Sequence, residues 1–187
     1  MRLFVALEIP SAVRENLASF VEQLRPLAPQ SRWVRTENLH VTLKFIGETP
    51  SEKLDAIRVA LATARSPQAV TIRFRGLGFF PNEKRPRVFW AGMKASPNLK
   101  TLVSDIERAM EKLGIPPEQR PFSPHLTLAR FEPPRLPENL RPPIQENAAR
   151  EFGSLAAKEF HLIESKLKPS GAEYTTLESF PFVVLEA

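Results

Sequence analysis

Histidine occurs three times in this 187-residue chain, and two of the three open near-identical runs. HVTLKF starts at His40 and HLTLAR at His125, 85 residues apart (125 − 40). Side chains two residues apart in an extended strand share a face. Strict alternation therefore puts His40 and Thr42, with Lys44, on one side and Val41, Leu43 and Phe45 on the core side. His125 and Thr127 likewise oppose Leu126 and Leu128. Each run offers an imidazole and a hydroxyl pinned by aliphatic residues behind. Two imidazoles at one site suit paired acid and base catalysis, because an ordinary pKa of about 6.5 populates both forms near neutral pH. Threonine hydroxyls can donate to the non-bridging oxygens of a phosphate. The chemistry these residues suit is attack on a phosphoester, with charge held by fixed donors and without a metal. A zinc site would need a third ligand, and neither run contains Asp, Glu or Cys.

A lone His-x-Thr run carries little weight; two on matching elements carry much more. Three segments show a helical period: Val13, Leu17, Phe20, Val21 and Leu24 after Ser11; Leu54, Ile57 and Leu61 after Ser51; and Leu99 to Leu113 after Ser96-Pro97. Ser11 and Ser96 are read as N-caps, with Pro97 in the first turn. Strands are expected over Leu3–Ile9, His40–Phe45, Val70–Phe74, Val88–Met93, His125–Phe131, Phe160–Leu167 and Tyr174–Leu185. An 85-residue shift carries Phe4 onto Phe89, Ser11 onto Ser96, Leu17 onto Leu102, His40 onto His125 and Thr42 onto Thr127. A strand, a capped helix and a His-x-Thr strand thus recur in one order, as a duplication. The proline-rich stretch Glu132–Pro143 is read as a surface connection within one domain spanning 1–187. The fold expected is α+β and bilobal: two intertwined lobes related by approximate twofold symmetry, with antiparallel-rich sheets flanked by helices. The site would lie in the central cleft between them.

Composition narrows the chemistry further. The absence of cysteine rules out disulfides, thiol nucleophiles and Cys-ligated metals, and suits a reducing cytoplasm. The apolar start, RLFVALEIP, is broken by Glu8 and Pro10 and reads as a first strand rather than a leader. No apolar run approaches the ~20 residues of a membrane helix. A formal net charge of +5 favours a polyanionic partner. The basic cluster Glu83–Arg87 is by default a solvated loop, with RNA steering as its sharper reading. Trp33, Phe79, Phe80 and Phe122 are open to base stacking or packing, whereas Phe45 is assigned to the core. His161 is expected to be a strand residue outside the chemistry.

The runs RLFVALEIP, RWVRTENLHVTLKFIGE, PRVFWAG, FSPHLTLAR and LIESKLKPSGAEYTTL together resemble the two-histidine (2H) phosphoesterases over nearly the whole chain. The nearest resemblance is to the RNA 2′,3′-cyclic phosphodiesterases, also described as 2′-5′ RNA ligases. It implies hydrolysis of RNA 2′,3′-cyclic phosphate ends to 2′-phosphates, with reverse 2′-5′ ligation as a minor activity. It implies His40 as proton donor to the departing 3′ oxygen, His125 as the base that activates water, and Thr42 and Thr127 as phosphate holders. Arg130 matches the family's arginine and would neutralise the phosphate. Strict alternation turns Arg130 away from His125, so either a bulge, the strand end or a curled side chain must redirect it. No metal or organic cofactor is expected, and the partner is RNA, tRNA fragments included, met by a monomer in the cytoplasm.

Two other readings keep the same residues. One is a phosphodiesterase acting on another cyclic nucleotide or an oligonucleotide 3′ tail, with choice lying in loops such as Gly76–Arg87 and Glu132–Pro143. The other is an RNA- or nucleotide-binding module without turnover, against which both intact His-x-Thr pairs argue.

Overall fold

The computed structural model describes residues 1–182. Its strands are β1 (Arg2–Leu7), β2 (Arg32–Trp33), β3 (Val41–Glu48), β4 (Val70–Phe80), β5 (Val88–Ala95), β6 (His125–Arg130), β7 (Glu151–Ala157), β8 (Glu159–Lys168) and β9 (Gly171–Pro181). Its helices are α1 (Ser11–Leu24), α2 (Leu54–Leu61), α3 (Asn98–Glu111) and α4 (Arg141–Glu146). Among the described residues all strand pairs are antiparallel. One sheet runs β3-β1-β8-β9 and the other β2-β6-β5-β4-β7. The α+β class with antiparallel sheets is therefore observed. The expected final strand, Tyr174–Leu185, is met by β9, and its residues 183–185 lie outside the described residues.

The helical periods bury the residues that define them. Val13, Leu17, Phe20, Val21 and Leu24 of α1 are buried, as are Leu99, Leu102, Val103, Ile106 and Met110 of α3. Fully burying one such side chain contributes about 1.5–3 kcal/mol. The serine caps are not formed. Pro10 and Pro97 occupy the cap positions without a side-chain bond, and Ser51 opens a 3-10 turn. Ser96 instead accepts the Thr71 N–H at 3.0 Å, tying the start of α3 to β4. Each proline pre-sets φ for helix entry, so the first turn forms without a hydroxyl cap.

Three elements were not anticipated. β2 has only two residues, and Glu151–Ala157 lacks β-branched side chains, the ordinary strand signal. The connection Glu132–Pro143 is only partly irregular: it passes through a 3-10 turn, Glu138–Leu140, into α4, where Leu140 and Ile144 reach the core. Prolines at the first turn of α4 suit helix initiation. Among the described residues, no helix is long and apolar enough to cross a membrane.

Candidate active site

His40 immediately precedes β3, the edge strand of the first sheet, and His125 opens β6, flanked in the second sheet by β5 and the two-residue β2. The segment joining β2 to β3 spans the two sheets, since Val34 N–H donates to the Leu128 carbonyl (3.0 Å) six residues before His40.

The two rings are held alike. Nδ1 of His40 lies 3.1 Å from the Asn38 carbonyl, and Nδ1 of His125 lies 2.8 Å from the Ser123 carbonyl. A carbonyl only accepts, so Nδ1 carries the proton in both rings, and Nε2 is left to exchange a proton with a ligand. Aromatic neighbours hem each imidazole. Phe4 and Tyr174 meet His40 edge-on at 6.3 and 5.6 Å between centroids, while Phe80 (4.7 Å) and Trp90 (6.3 Å) stand against His125.

The approach to His40 is braced by three bonds, to α1 and to the β8–β9 hairpin. Arg14 of α1 donates to the Thr36 carbonyl (2.6 Å), the Asn38 amide to the Ala172 carbonyl (3.0 Å), and Arg35 to the Ser170 carbonyl (2.6 Å). Gly171 allows the last contact: its φ is 120°, and a Cβ there would lie 2.9 Å from Arg35 Nη1. Burial lowers the His40 pKa below its ordinary value, and the Arg14 cation lowers it further, while the bond to Asn38 acts in the opposite direction.

The motif strands do not alternate strictly. On β1, Val5 pairs with Lys44 and Ala6 with Thr42, so Leu43 is an extra residue. On β5, Phe89 pairs with Ala129 and Trp90 with Thr127, so Leu128 is extra. Each is a β-bulge, which sends two successive side chains to one face and inverts the alternation beyond it. Leu43 and Lys44 are both buried, as are Leu128 and Ala129.

Three expectations are settled by these bulges. Arg130 is exposed, and the bulge returns it to the face of His125 and Thr127. Phe45 does not belong to the core: it is 69% exposed, with its ring 6.2 Å from Phe4 on the His40 side. Lys44 does not share the His40 face. It is buried and donates to Glu107 of α3 (3.0 Å) and to the Pro116 carbonyl (2.8 Å). Strict alternation missed the outward turn of Phe45, although the 85-residue shift equates Phe45 with Arg130 and was the available signal.

Thr42 and Thr127 are half-buried on the faces of their histidines. His161 is a strand residue of β8, bonded through Nδ1 to Ser179 Oγ (2.8 Å), as expected of it. Its row across the sheet runs Thr42, Ala6, His161, Ser179, so it shares the Thr42 face two strands away. Of the candidate stacking residues, Trp33 donates Nε1–H to the Ala28 carbonyl (2.9 Å), Phe79 stacks on buried Phe89, and Phe122 packs on the core. Phe80 lines a depression beside His125. Glu83, Lys84, Arg85 and Arg87 are exposed between β4 and β5.

Comparison with known proteins agrees with this geometry. The chain matches the LigT-like phosphoesterase family model over residues 7–90 and 93–174. It is 38% identical over 189 residues to a Thermus thermophilus protein named RNA 2′,3′-cyclic phosphodiesterase, covering 96% of this chain and 89% of that protein. A Methanothermobacter thermautotrophicus protein of the same name is 34% identical over 181 residues, covering 96% and 98% respectively. A crystal structure of a Thermus thermophilus protein superposes over the full length of both chains with a TM-score of 0.80 at 34% identity. The paired His-x-Thr strands, the two antiparallel sheets and these likenesses make the chain a member of the LigT-like phosphoesterases, within the two-histidine superfamily.

Proposed function

We propose that this protein hydrolyses RNA 2′,3′-cyclic phosphate ends to 2′-phosphates by metal-independent acid–base catalysis. The observation that carries the reading is the matched pair of imidazoles, each fixed through Nδ1 to a carbonyl two residues upstream and each followed by a threonine on its own face. Nε2 of His125 takes a proton from water as the oxygen attacks phosphorus. The P–O3′ bond breaks, and Nε2 of His40 gives its proton to the departing O3′. A 2′-phosphate and a free 3′-hydroxyl remain. Thr42 and Thr127 donate to the non-bridging oxygens, and the Arg130 guanidinium neutralises the charge gathering there. The lowered pKa of His40 makes its imidazolium a stronger acid than an ordinary one; the phosphate's negative charge raises its protonated fraction in the bound state.

Phe45 occupies the position in its strand that Arg130 occupies in the other, exposed and on the His40 face, with its ring against Phe4. It offers a face on which the terminal base stacks. This replaces its assignment to the core.

The site rests on one domain built by internal duplication. The order β3-β1-β8-β9 repeats as β6-β5-β4-β7, and the two segments of the family match start 86 residues apart (93 − 7). Substrates on this reading are RNA ends, tRNA fragments included, met in the cytoplasm by a monomer. Absence of cysteine is consistent with that compartment.

Phosphorus NMR tests the reaction directly. An oligonucleotide ending in a 2′,3′-cyclic phosphate, incubated in EDTA, is expected to give a 2′-phosphate with the parent protein and none with His125→Ala. A persisting cyclic phosphate, or equal turnover by the variant, removes the proposal.

A further inference from the structure

The carbonyl that holds His40 belongs to a turn that does not hold itself. Asn38, whose carbonyl lies 3.1 Å from Nδ1 of His40, ends the 3-10 turn Thr36–Asn38. The turn's own closing bonds are the Asn38 N–H to the Arg35 carbonyl at 2.9 Å and the Leu39 N–H to the Thr36 carbonyl at 3.2 Å. Bonds of 3-10 type have poorer geometry than those of an α-helix, so a lone turn is a soft support. A second donor stiffens this one. Nη1 of Arg14 donates to the same Thr36 carbonyl at 2.6 Å, and a charged donor makes the stronger bond.

Arg14 reaches the turn from a rigid element. It lies in the first turn of α1, where its own N–H donates to the Pro10 carbonyl at 3.0 Å. Its neighbours on that helix, Val13 and Leu17, are buried in the core, and Arg14 itself is half-buried. Support therefore runs from the core through α1 and the Arg14 guanidinium to Thr36, then to Asn38 and the imidazole. The cation is also near enough to act on the ring directly, in company with Glu8 after β1 and His161 of β8; Glu8 and Glu37 in turn act on Arg14.

The duplicated half supplies the contrast. Asn38 and Ser123, 85 residues apart (123 − 38), hold His40 and His125 by the same kind of bond. The same shift carries Thr36 onto Pro121 and Arg14 onto Leu99. Leu99 is buried in α3, and leucine has no N–H to offer a carbonyl. Two imidazoles matched in motif thus differ in what stands behind them.

We propose that Arg14 is a positioning residue for the proton donor alone: through the Thr36–Asn38 turn it fixes the carbonyl that orients His40. On the proposed function, which this inference rests on, the Nδ1–H bond to Asn38 aims Nε2 at the departing O3′. A loosened turn lets the ring swing and, when neutral, take either tautomer, so the proton is offered in the wrong direction for much of the time.

NMR of protein labelled with nitrogen-15 in histidine tests this, read on the alkaline side where the rings are neutral. The parent is expected to show the Nδ1–H form at His40. Arg14→Met keeps an apolar stem without a donor, and should mix the two tautomers at His40 while His125 and His161 keep theirs. Its kcat on a cyclic-phosphate-ended oligonucleotide should fall about tenfold, with KM within about twofold of the parent. Arg14→Lys returns a charged donor and should restore most of both properties. An unchanged His40 tautomer in Arg14→Met, a change shared by all three histidines, a rise in KM in place of the fall in kcat, or no recovery with lysine each overturns the positioning role and leaves the hydrolase intact. Failure of the parent to open the cyclic phosphate overturns the proposed function and, with it, the catalytic use of the brace.

Discussion

Leu43 and Leu128, 85 residues apart (128 − 43), are the extra residues of two β-bulges that fall at the same point of the two motif strands. Each bulge follows the His-x-Thr pair and turns the next residue inward, Lys44 in one strand and Ala129 in the other. The residue after that returns to the histidine's face. This is how the six-residue runs present a histidine, a threonine and a sixth residue on one face: Phe45 on that of His40, and Arg130 on that of His125.

Phe45 and Arg130 therefore differ in what they contribute from equivalent positions. Phe45→Ala is expected to lower kcat/KM for RNA ends by about 1–3 kcal/mol of lost stacking, with Phe45→Trp restoring activity. Because Phe45 is exposed, Tm should hardly change. Steady-state kinetics beside thermal unfolding checks this; a fall in Tm without a kinetic effect would return Phe45 to a packing role.

Arg130→Ala should depress kcat, since the cation acts where charge gathers in the transition state. Arg130→Lys should recover only part of the loss, because an ammonium cannot make the bidentate contact of a guanidinium. Full recovery by lysine would reduce the residue to a diffuse charge.

Removing either imidazole should cost about 10²–10⁴ in rate, the ordinary contribution of a positioned acid or base. Substrate affinity should change far less. Single-turnover rates of His40→Ala and His125→Ala, measured with and without EDTA, check both the roles and the metal-independent route; a rate lost in EDTA and restored by zinc or manganese would refute the latter.

The pH dependence follows from His40. As proton donor it must be charged, and burial, foremost, lowers its pKa in the free protein. The charged fraction, and with it kcat/KM, is then lost as pH rises through a midpoint below the ordinary value of about 6.5. The bound phosphate anion raises that pKa, so the alkaline limb of kcat should lie at higher pH than that of kcat/KM. Coincident limbs at or above the ordinary histidine value would argue against His40 as the acid.

Lys44 and Glu107 test the link between β3 and α3. Their side chains are 4% and 19% exposed, and Glu107 Oε2 also accepts the Glu118 N–H at 3.1 Å on the approach to His125. Lys44→Ala should destabilise by about 3 kcal/mol, because it strands a partly buried carboxylate. Lys44→Met with Glu107→Leu should be much closer to the parent in denaturant unfolding.

Residue type and local period were enough to determine much of this protein. The apolar faces of α1 and α3 are written at helical spacing, and their burial depends only on amphipathicity. The two His-x-Thr pairs share a face because they precede the bulges, where strict alternation still holds. His161 was legible as a strand residue with a bonded ring, which β8 and Ser179 supply. The proline entries to the helices misled in detail, since a pre-set φ does the work assigned to a serine cap. β7 could not be read at all, because its strand character comes from pairing with β4 rather than from its own side chains.

Only the tertiary structure decided which way Lys44, Phe45 and Arg130 point. A bulge is a mismatch between two paired strands, so its location depends on the partner's register and cannot be read from one strand's alternation. The same holds for the aromatic and cationic depression beside His125: Phe80, Trp90, Arg75 and Lys94 come together only when β4, β5 and β6 pair. Sequence specified the candidate reacting groups through residue type and spacing; long-range strand pairing specified the faces on which their neighbours stand.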